Sequence, residues 1–309
     1  IRLGTLVAIP SNRIAPVTAS AIATINKLAP GRVILAIGTG YTGRNTMGLP
    51  AISVSRLKEY TRQVQGLLSG EDVLFREGEQ ERWIRLVHPD HDSFINIKDP
   101  IPVYLAANGP RALQAVGELA DGWVTTLRAR RNLEPNFATI ANAAEQAGRG
   151  PVKPYTVALT SGCVLREGEP LTSDRVVAQL GPSILVGMHA QWEAAYGPGA
   201  ALGVQPDADL AAEYNTYIQE YAETSGTPSD RLYLDVHRGH MVFLKPGEAR
   251  FATENALART LTGSGPEIIG QLEVMESAGI DNIVVSVPNA QGARDLIQDF
   301  SREVIAKRG

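Results

Sequence analysis

Gly31-Arg32-Val33-Ile34-Leu35-Ala36-Ile37-Gly38-Thr39-Gly40-Tyr41 is the stretch that decides the fold class. Val33 to Ile37 is an unbroken apolar run, set between Pro30-Gly31 and two close glycines. A continuous run, in place of an alternating one, marks a strand covered on both faces, as parallel strands of α/β proteins are. The glycines after it let the backbone turn tightly and present its N–H groups to a ligand. By spacing alone this is a turn and no more. The third glycine of a dinucleotide fingerprint is missing, and the next helical pattern starts only near Ser53.

Outward from that strand the chain alternates short apolar runs with helical periodicity. Leu3 to Ile9 reads as a strand ending at Pro10, and Ala15 to Leu28 as a helix with Val17, Ala21, Ile22, Ile25 and Leu28 in step. Ser53 to Ser69 is amphipathic, with Leu57, Tyr60, Val64 and Leu67 on one side and Gly70 as the stop. Glu71 to Pro100, rich in charge and aromatics, reads as a hairpin or an irregular excursion. Strands then follow at Pro102–Ala107, Asp121–Thr126, Tyr155–Leu165 and Ile283–Val287. Helices follow at Pro110–Ala120, Leu133–Gly148, Pro266–Ala278 and Ala290–Ala306. Parallel strands joined by helices give a doubly wound sheet or a barrel. Leu185 to Thr260 breaks the rhythm; it reads as an insertion near the mouth of the sheet, inside one domain spanning residues 1–309.

The chain has 309 residues, 44% of them hydrophobic, enough for one large core. A net charge of -4 argues against nucleic acid as a partner, and the short basic run Arg128-Ala129-Arg130-Arg131 reads as a solvated face. The single cysteine, Cys163, lies in an apolar run and reads as a buried small hydrophobe. No apolar run approaches the ~18 residues of a membrane span, and no leader pattern is evident, so a cytoplasmic setting is expected. Hydrolase elbows, Walker loops and His-Glu-x-x-His are absent.

Two further stretches carry candidate chemistry. In Pro102-Val103-Tyr104-Leu105-Ala106-Ala107-Asn108-Gly109-Pro110-Arg111 a strand runs straight into a helix start. Free N–H groups there form an anion site, and Arg111 adds a charge suited to a phosphate. A capped helix with a solvated arginine explains the same residues equally well. In Leu234-Asp235-Val236-His237-Arg238-Gly239-His240-Met241, His237, Arg238 and His240 suit substrate contact or proton transfer. A metal site is not expected, because no third ligand stands at sensible spacing. His88, His91 and His189 receive no role.

In order and spacing these segments resemble the bacterial-luciferase-like family of flavin- and deazaflavin-dependent oxidoreductases. Leu3-Gly4-Thr5-Leu6-Val7 resembles the third strand of the methylenetetrahydromethanopterin reductase branch, Gly31 to Gly40 its fourth, Ile101 to Pro110 its fifth, and Gly117 to Gly122 the entry to its sixth. Thr262 to Ile280 is similar to its last helix and strand eight. The resemblance implies a TIM (β/α)8 barrel with the cofactor at the C-terminal strand ends. It places Leu6 and Val7 at a bulge with a non-prolyl cis bond behind the reactive ring. Thr39, Gly40 and Tyr41 fall near the ring and side chain, and Ala107, Asn108, Gly109, Pro110 and Arg111 near the phosphate.

The implied activity is a monooxygenase using reduced FMN and oxygen on a small organic substrate. The alternatives are hydride transfer with coenzyme F-420, a deazaflavin, and flavin binding without turnover. A homo-oligomer is expected, with a separate flavin reductase on the FMN reading. Thr39 stands where luciferases carry an arginine, which keeps the deazaflavin in play. The chain opens in mid-strand at Ile1, and the family pattern implies two preceding βα units, about sixty residues at ~30 each. Those units normally carry the catalytic base.

Overall fold

The computed structural model describes the whole chain except residues 89–93, 128–131, 198–205, 288 and 309, and the side chain of 290. His91 and the Arg128–Arg131 run therefore lie outside the described residues. The chain groups into two compact units. One comprises Ile1–Tyr41, Ile52–Thr125 and Arg131–Val157, the other Thr42–Ala51, Thr126–Arg130 and Ala158–Gly309.

The first unit is built on parallel strands. β1 (Leu3–Ala8) leads through α1 (Ala15–Leu28) into β2 (Val33–Ile37). A short helix, α2 (Tyr41–Asn45), follows the glycine turn, where the sequence pattern predicts no helix before Ser53; all of it after Tyr41 belongs to the second unit. Five residues are too few to show a period. α3 (Val54–Leu68) starts on Ser53, whose hydroxyl accepts the Arg56 N–H, a standard side-chain cap. The charged excursion is an antiparallel hairpin, β3 (Val73–Glu77) with β4 (Gln80–Ile84). β5 (Val103–Ala106), α4 (Pro110–Leu119), β6 (Gly122–Thr126) and α5 (Leu133–Gln146) complete the alternation.

The strand order in this unit is β1-β2-β5-β6, with Leu3 opposite Val33, Leu35 opposite Val103 and Tyr104 opposite Gly122. Leu35, Ile37, Leu57, Leu67, Leu105, Trp123 and Ile140 are fully buried between sheet and helices. Each contributes about 1.5–3 kcal/mol by leaving water. Buried Asn26 ties the end of the hairpin excursion to α1: its amide donates to the Asn96 and Asp99 carbonyls at 3.0 and 2.9 Å. α4 and α5 approach closely at Gly117, where a Cβ would collide with the Ile140 carbonyl oxygen.

The longest segment of the second unit starts within β7 (Tyr155–Val164), which pairs in parallel with β8 (Leu261–Gly263) and also with β9 (Asn282–Ser286). β8 escaped the sequence reading because three residues cannot show alternation. α6 (Asp174–Ile184) follows β7, and α7 (Val186–Tyr196), α8 (Ala208–Ser225), α9 (Leu232–Val236) and α10 (Glu254–Leu257) occupy the Leu185–Thr260 stretch that breaks the rhythm. Their apolar faces share one core with β7, including Cys163, Leu180, Trp192, Tyr214, Ile218, Phe251 and Leu257. α11 (Gly265–Ser277) carries a Ser264/Glu267 capping box. α12 (Ala290–Phe300) continues through a π-helical turn at Ser301–Ile305 into α13 (Ala306–Arg308), so one helical run covers the expected Ala290–Ala306. Among the described residues no helix is long and apolar enough to cross a membrane.

Candidate functional site

The expected cofactor residues gather at strand ends of the first unit. The β1–β2 ladder slips between Thr5 and Ala8, and the Leu6–Val7 peptide bond is cis, as the family resemblance implied. The Thr5 hydroxyl bridges the slip by donating to the Ala36 carbonyl at 2.8 Å and accepting the Ala36 N–H at 3.1 Å. Past the slip, the Gly38 N–H donates to the Ala8 carbonyl at 3.0 Å. Val7 packs over Gly38: a Cβ there would lie 2.8 Å from Val7 Cγ2 and 3.4 Å from Ala106 Cβ. Gly40, at φ +79°, adopts a backbone that L side chains avoid, and a Cβ on it would collide with Ile9 Cγ2. The Thr39 carbonyl accepts the Ile52 N–H at 3.1 Å, fixing the turn.

Next along the sheet, β5 ends at Ala106. Ala107 is held on both sides: its N–H donates to the Val124 carbonyl, and its own carbonyl accepts the indole N–H of fully buried Trp123 at 2.8 Å. Asn108, Gly109, Pro110 and Arg111 are all exposed. Gly109 caps α4 with no side-chain partner, and nothing lies within 4 Å of where its Cβ would stand. The first helical bond runs from the Leu113 N–H to the Gly109 carbonyl. The Arg111 and Ala112 N–H groups therefore precede the ladder and point out of the helix end. The result is a small-residue apolar floor beside an uncapped helix N-terminus, suited to a flat ring with an anionic tail. No carboxylate or imidazole is among these residues, so they position a group and do not supply a strong acid or base.

The expected polar residues of the second unit divide. His237 caps the C-terminal end of α9, and the turns that follow return His240 to its side, with the His240 N–H donating to the His237 carbonyl at 3.0 Å. Arg238 instead is exposed, its guanidinium 6.0 Å from the Tyr221 ring centroid. Sequence spacing offers no third histidine beside this pair, and the fold brings His189 to it. His189 on α7 lies with its Nδ1 2.9 Å from His240 Nδ1, and its ring centroid is 5.4 Å from that of His237. One nitrogen from each of the three rings lies within 4.8 Å of the others.

Carboxylates stand behind two of these rings. His237 Nε2 is 2.9 Å from Glu193 Oε1, one helical turn after His189 on α7, and His189 Nε2 is 3.7 Å from Glu248 Oε1. Glu248 also pairs with the buried Lys245 ammonium and accepts the Tyr214 hydroxyl at 2.6 Å. Burial pushes His189 down to about 4, with Lys245 adding to the shift and Glu248 opposing it. Burial and the neighbouring His189 bring His240 to about 3. Burial works to raise Glu248, but the facing His189 ring, the Lys245 ammonium and the Tyr214 hydroxyl outweigh it and hold the carboxyl at about 2. Both histidines are therefore neutral at pH 7. Sequence reasoning missed His189, Glu193 and Glu248. Only the i, i+4 pairing of His189 with Glu193 along an otherwise apolar helix face hinted at them.

A separate cavity of about 730 Å³ in the second unit, lined by Glu169, Glu267, Asp299, Arg302 and Glu303 among others, contains none of the expected site residues.

Comparison with known proteins adds to this geometry. The model of the luciferase-like monooxygenase family matches residues 1–282. An F420-dependent glucose-6-phosphate dehydrogenase of Nakamurella multipartita is 35% identical over 155 residues, covering 48% of this chain and 44% of that protein. The chain thus spans less than half the length of that relative. A 5,10-methylenetetrahydromethanopterin reductase of Archaeoglobus fulgidus is 25% identical over 313 residues, covering 99% of this chain and 83% of the other. Among solved structures, the coenzyme F420 dependent tetrahydromethanopterin reductase of Methanopyrus kandleri superposes with a TM-score of 0.64 at 20% identity, covering 100% of this chain and 84% of that one. The fold is thus the TIM-type α/β fold expected from the sequence, and the chain belongs to the luciferase-like family.

Proposed function

We propose that this chain serves a deazaflavin-dependent oxidoreductase acting on a small organic molecule. The observation that carries this reading is the company the sequence keeps: the relatives described above are named for F420 or for the pterin reductase, and none is named for FMN. Thr39, standing where an arginine is expected for the FMN phosphate, agrees with it. The deazaflavin reading therefore takes precedence over the FMN and oxygen reading.

The residues fit such a group. Bound there, a deazaflavin would supply the hydride chemistry, which is the cofactor's own. The chain's part is placement. Leu6 and Val7 would form the floor behind the ring, and Gly38 and Gly40 let the turn pack against Val7 and Ile9. Thr39 and Tyr41 flank it. The N–H groups of Arg111 and Ala112, with the Arg111 guanidinium, hold the phosphate, a charge-assisted contact of about 1.5–3 kcal/mol. Asn108, Gly109 and Pro110 keep that helix end open. His237 and His240 do not enter this reading, since their rings are turned into a buried cluster.

The test is a parallel absorbance and fluorescence titration of the full-length protein with the deazaflavin and with FMN. The deazaflavin is expected to bind at least about tenfold more tightly, a difference of about 1.4 kcal/mol. Tight FMN binding without deazaflavin binding would restore the monooxygenase reading. Binding without substrate-dependent bleaching of the reduced coenzyme, over a panel of candidate substrates, would leave a carrier without turnover.

A further inference from the structure

We propose that His189, His237 and His240 form a binding site for a divalent transition metal of the zinc type, with a solvent oxygen as the fourth ligand. The argument starts from unmet hydrogen bonds. Of the six ring nitrogens, the Nδ1 atoms of His189 and His240 face each other, and His237 Nε2 faces Glu193. Of the remaining three, His237 Nδ1 and His240 Nε2 are buried with no hydrogen-bond partner, and His189 Nε2 has only Glu248 Oε1 at 3.7 Å, beyond hydrogen-bond distance. His189 itself is 3% exposed. A buried polar atom left unpaired costs about 1–3 kcal/mol, and native structures hold few of them. His237 Nδ1, beside the two facing Nδ1 atoms, calls for something that the protein's own atoms do not provide.

A metal at the centre of the triangle accounts for the convergence of the three rings. Zinc binds imidazole nitrogen at about 2.0–2.1 Å, which puts tetrahedral nitrogens about 3.3 Å apart. The observed 2.9 Å between the two Nδ1 atoms needs to open by only a few tenths of an ångström, and the third nitrogen lies within 4.8 Å. His237 Nδ1 then gains a partner. With Nδ1 of His189 on the metal, its Nε2 carries the proton and faces Glu248. His237 likewise donates from Nε2 to Glu193. A carboxylate behind a ligating histidine is the usual support of such sites, fixing tautomer and ring orientation. Two carboxylates, Glu193 and Glu248, stand beside the rings, with Lys245 paired to Glu248. The ligands come from α7, the end of α9 and the turn after it, so a metal would pin three segments together. This site stands on second-unit residues alone and is independent of the deazaflavin reading.

The experiment uses the full chain, stripped with a chelator and then titrated with Zn2+ and with Co2+. The expected result is one metal per chain, the visible absorption of tetrahedral Co2+, and a raised melting temperature on Zn2+ addition. His189→Ala, His237→Ala and His240→Asn should each abolish the Co2+ spectrum. Glu193→Gln should weaken binding by about 10–100-fold, the usual effect of removing such support. If a variant fails to fold, the wild-type Co2+ spectrum still reports whether imidazole nitrogens bind it. A folded wild-type chain that takes up no metal overturns the proposal. So does uptake that persists unchanged in the folded histidine variants.

Discussion

Val7 lies over Gly38 with no room for another atom: a Cβ on Gly38 would stand 2.8 Å from Val7 Cγ2, well inside van der Waals contact. The glycine is what lets the end of β1 close over the end of β2. Gly38→Ala is therefore expected to overpack a buried spot and cost about 1–3 kcal/mol. Because Val7 is part of the proposed ring floor, coenzyme affinity should fall as well. Urea unfolding and a coenzyme titration check the two effects. A variant with wild-type midpoint and affinity would show that Val7 can move aside and that the cradle is not built on this contact.

Gly109 separates helix stability from anion binding. An aspartate there caps α4 better than glycine by a few tenths of a kcal/mol and complements the helix dipole. It also puts a carboxylate where the proposed phosphate sits. Gly109→Asp should leave the melting temperature equal or higher while weakening the phosphorylated coenzyme by at least about tenfold. Undiminished binding would move the phosphate elsewhere.

Trp123 holds the loop between β5 and α4 through its indole N–H on the Ala107 carbonyl. Trp123→Phe keeps most of the apolar volume but leaves that buried carbonyl unpaired. It should cost about 1–3 kcal/mol, seen as a lower denaturation midpoint. Loss of stability with unchanged coenzyme affinity would show the loop to be held by its other bonds.

Cys163 offers a test by pH. Burial is the main cause that pushes its thiol up to about 11, with Arg175 pulling the other way. In the unfolded chain the thiol ionises near its ordinary value, while the folded chain still holds the proton. Between that value and about 11 the folded state binds more protons, so this group's contribution to stability falls as pH rises. Cys163→Ala should flatten that part of the stability curve. At pH 7 a thiol reagent should react with the native chain far more slowly than with the unfolded one. Rapid native labelling would contradict the burial.

Much of the first unit was legible in sequence because its signals are local. The continuous run Val33 to Ile37, the amphipathic spacing of Leu57, Tyr60 and Val64, and Pro110 at a helix start each report on neighbours a few residues away. The proposed cofactor residues were legible by family resemblance more than by chemistry, since glycines and alanines announce only room. β8 and α2 were not legible, because three and five residues are too short to carry a period.

The sequence by itself determined the alternation of strand and helix, the apolar character of the strand that precedes Gly38, and the closeness of His237 to His240. All of these are set by spacing along the chain. Only the tertiary structure decided that Val7 covers Gly38, that Arg238 turns toward Tyr221, and that His189 joins the histidine pair from 51 residues before His240. Sequence spacing cannot report such meetings. They follow from the packing of whole helices in a shared core, where the burial that brings the imidazoles together also removes the water that would otherwise satisfy them.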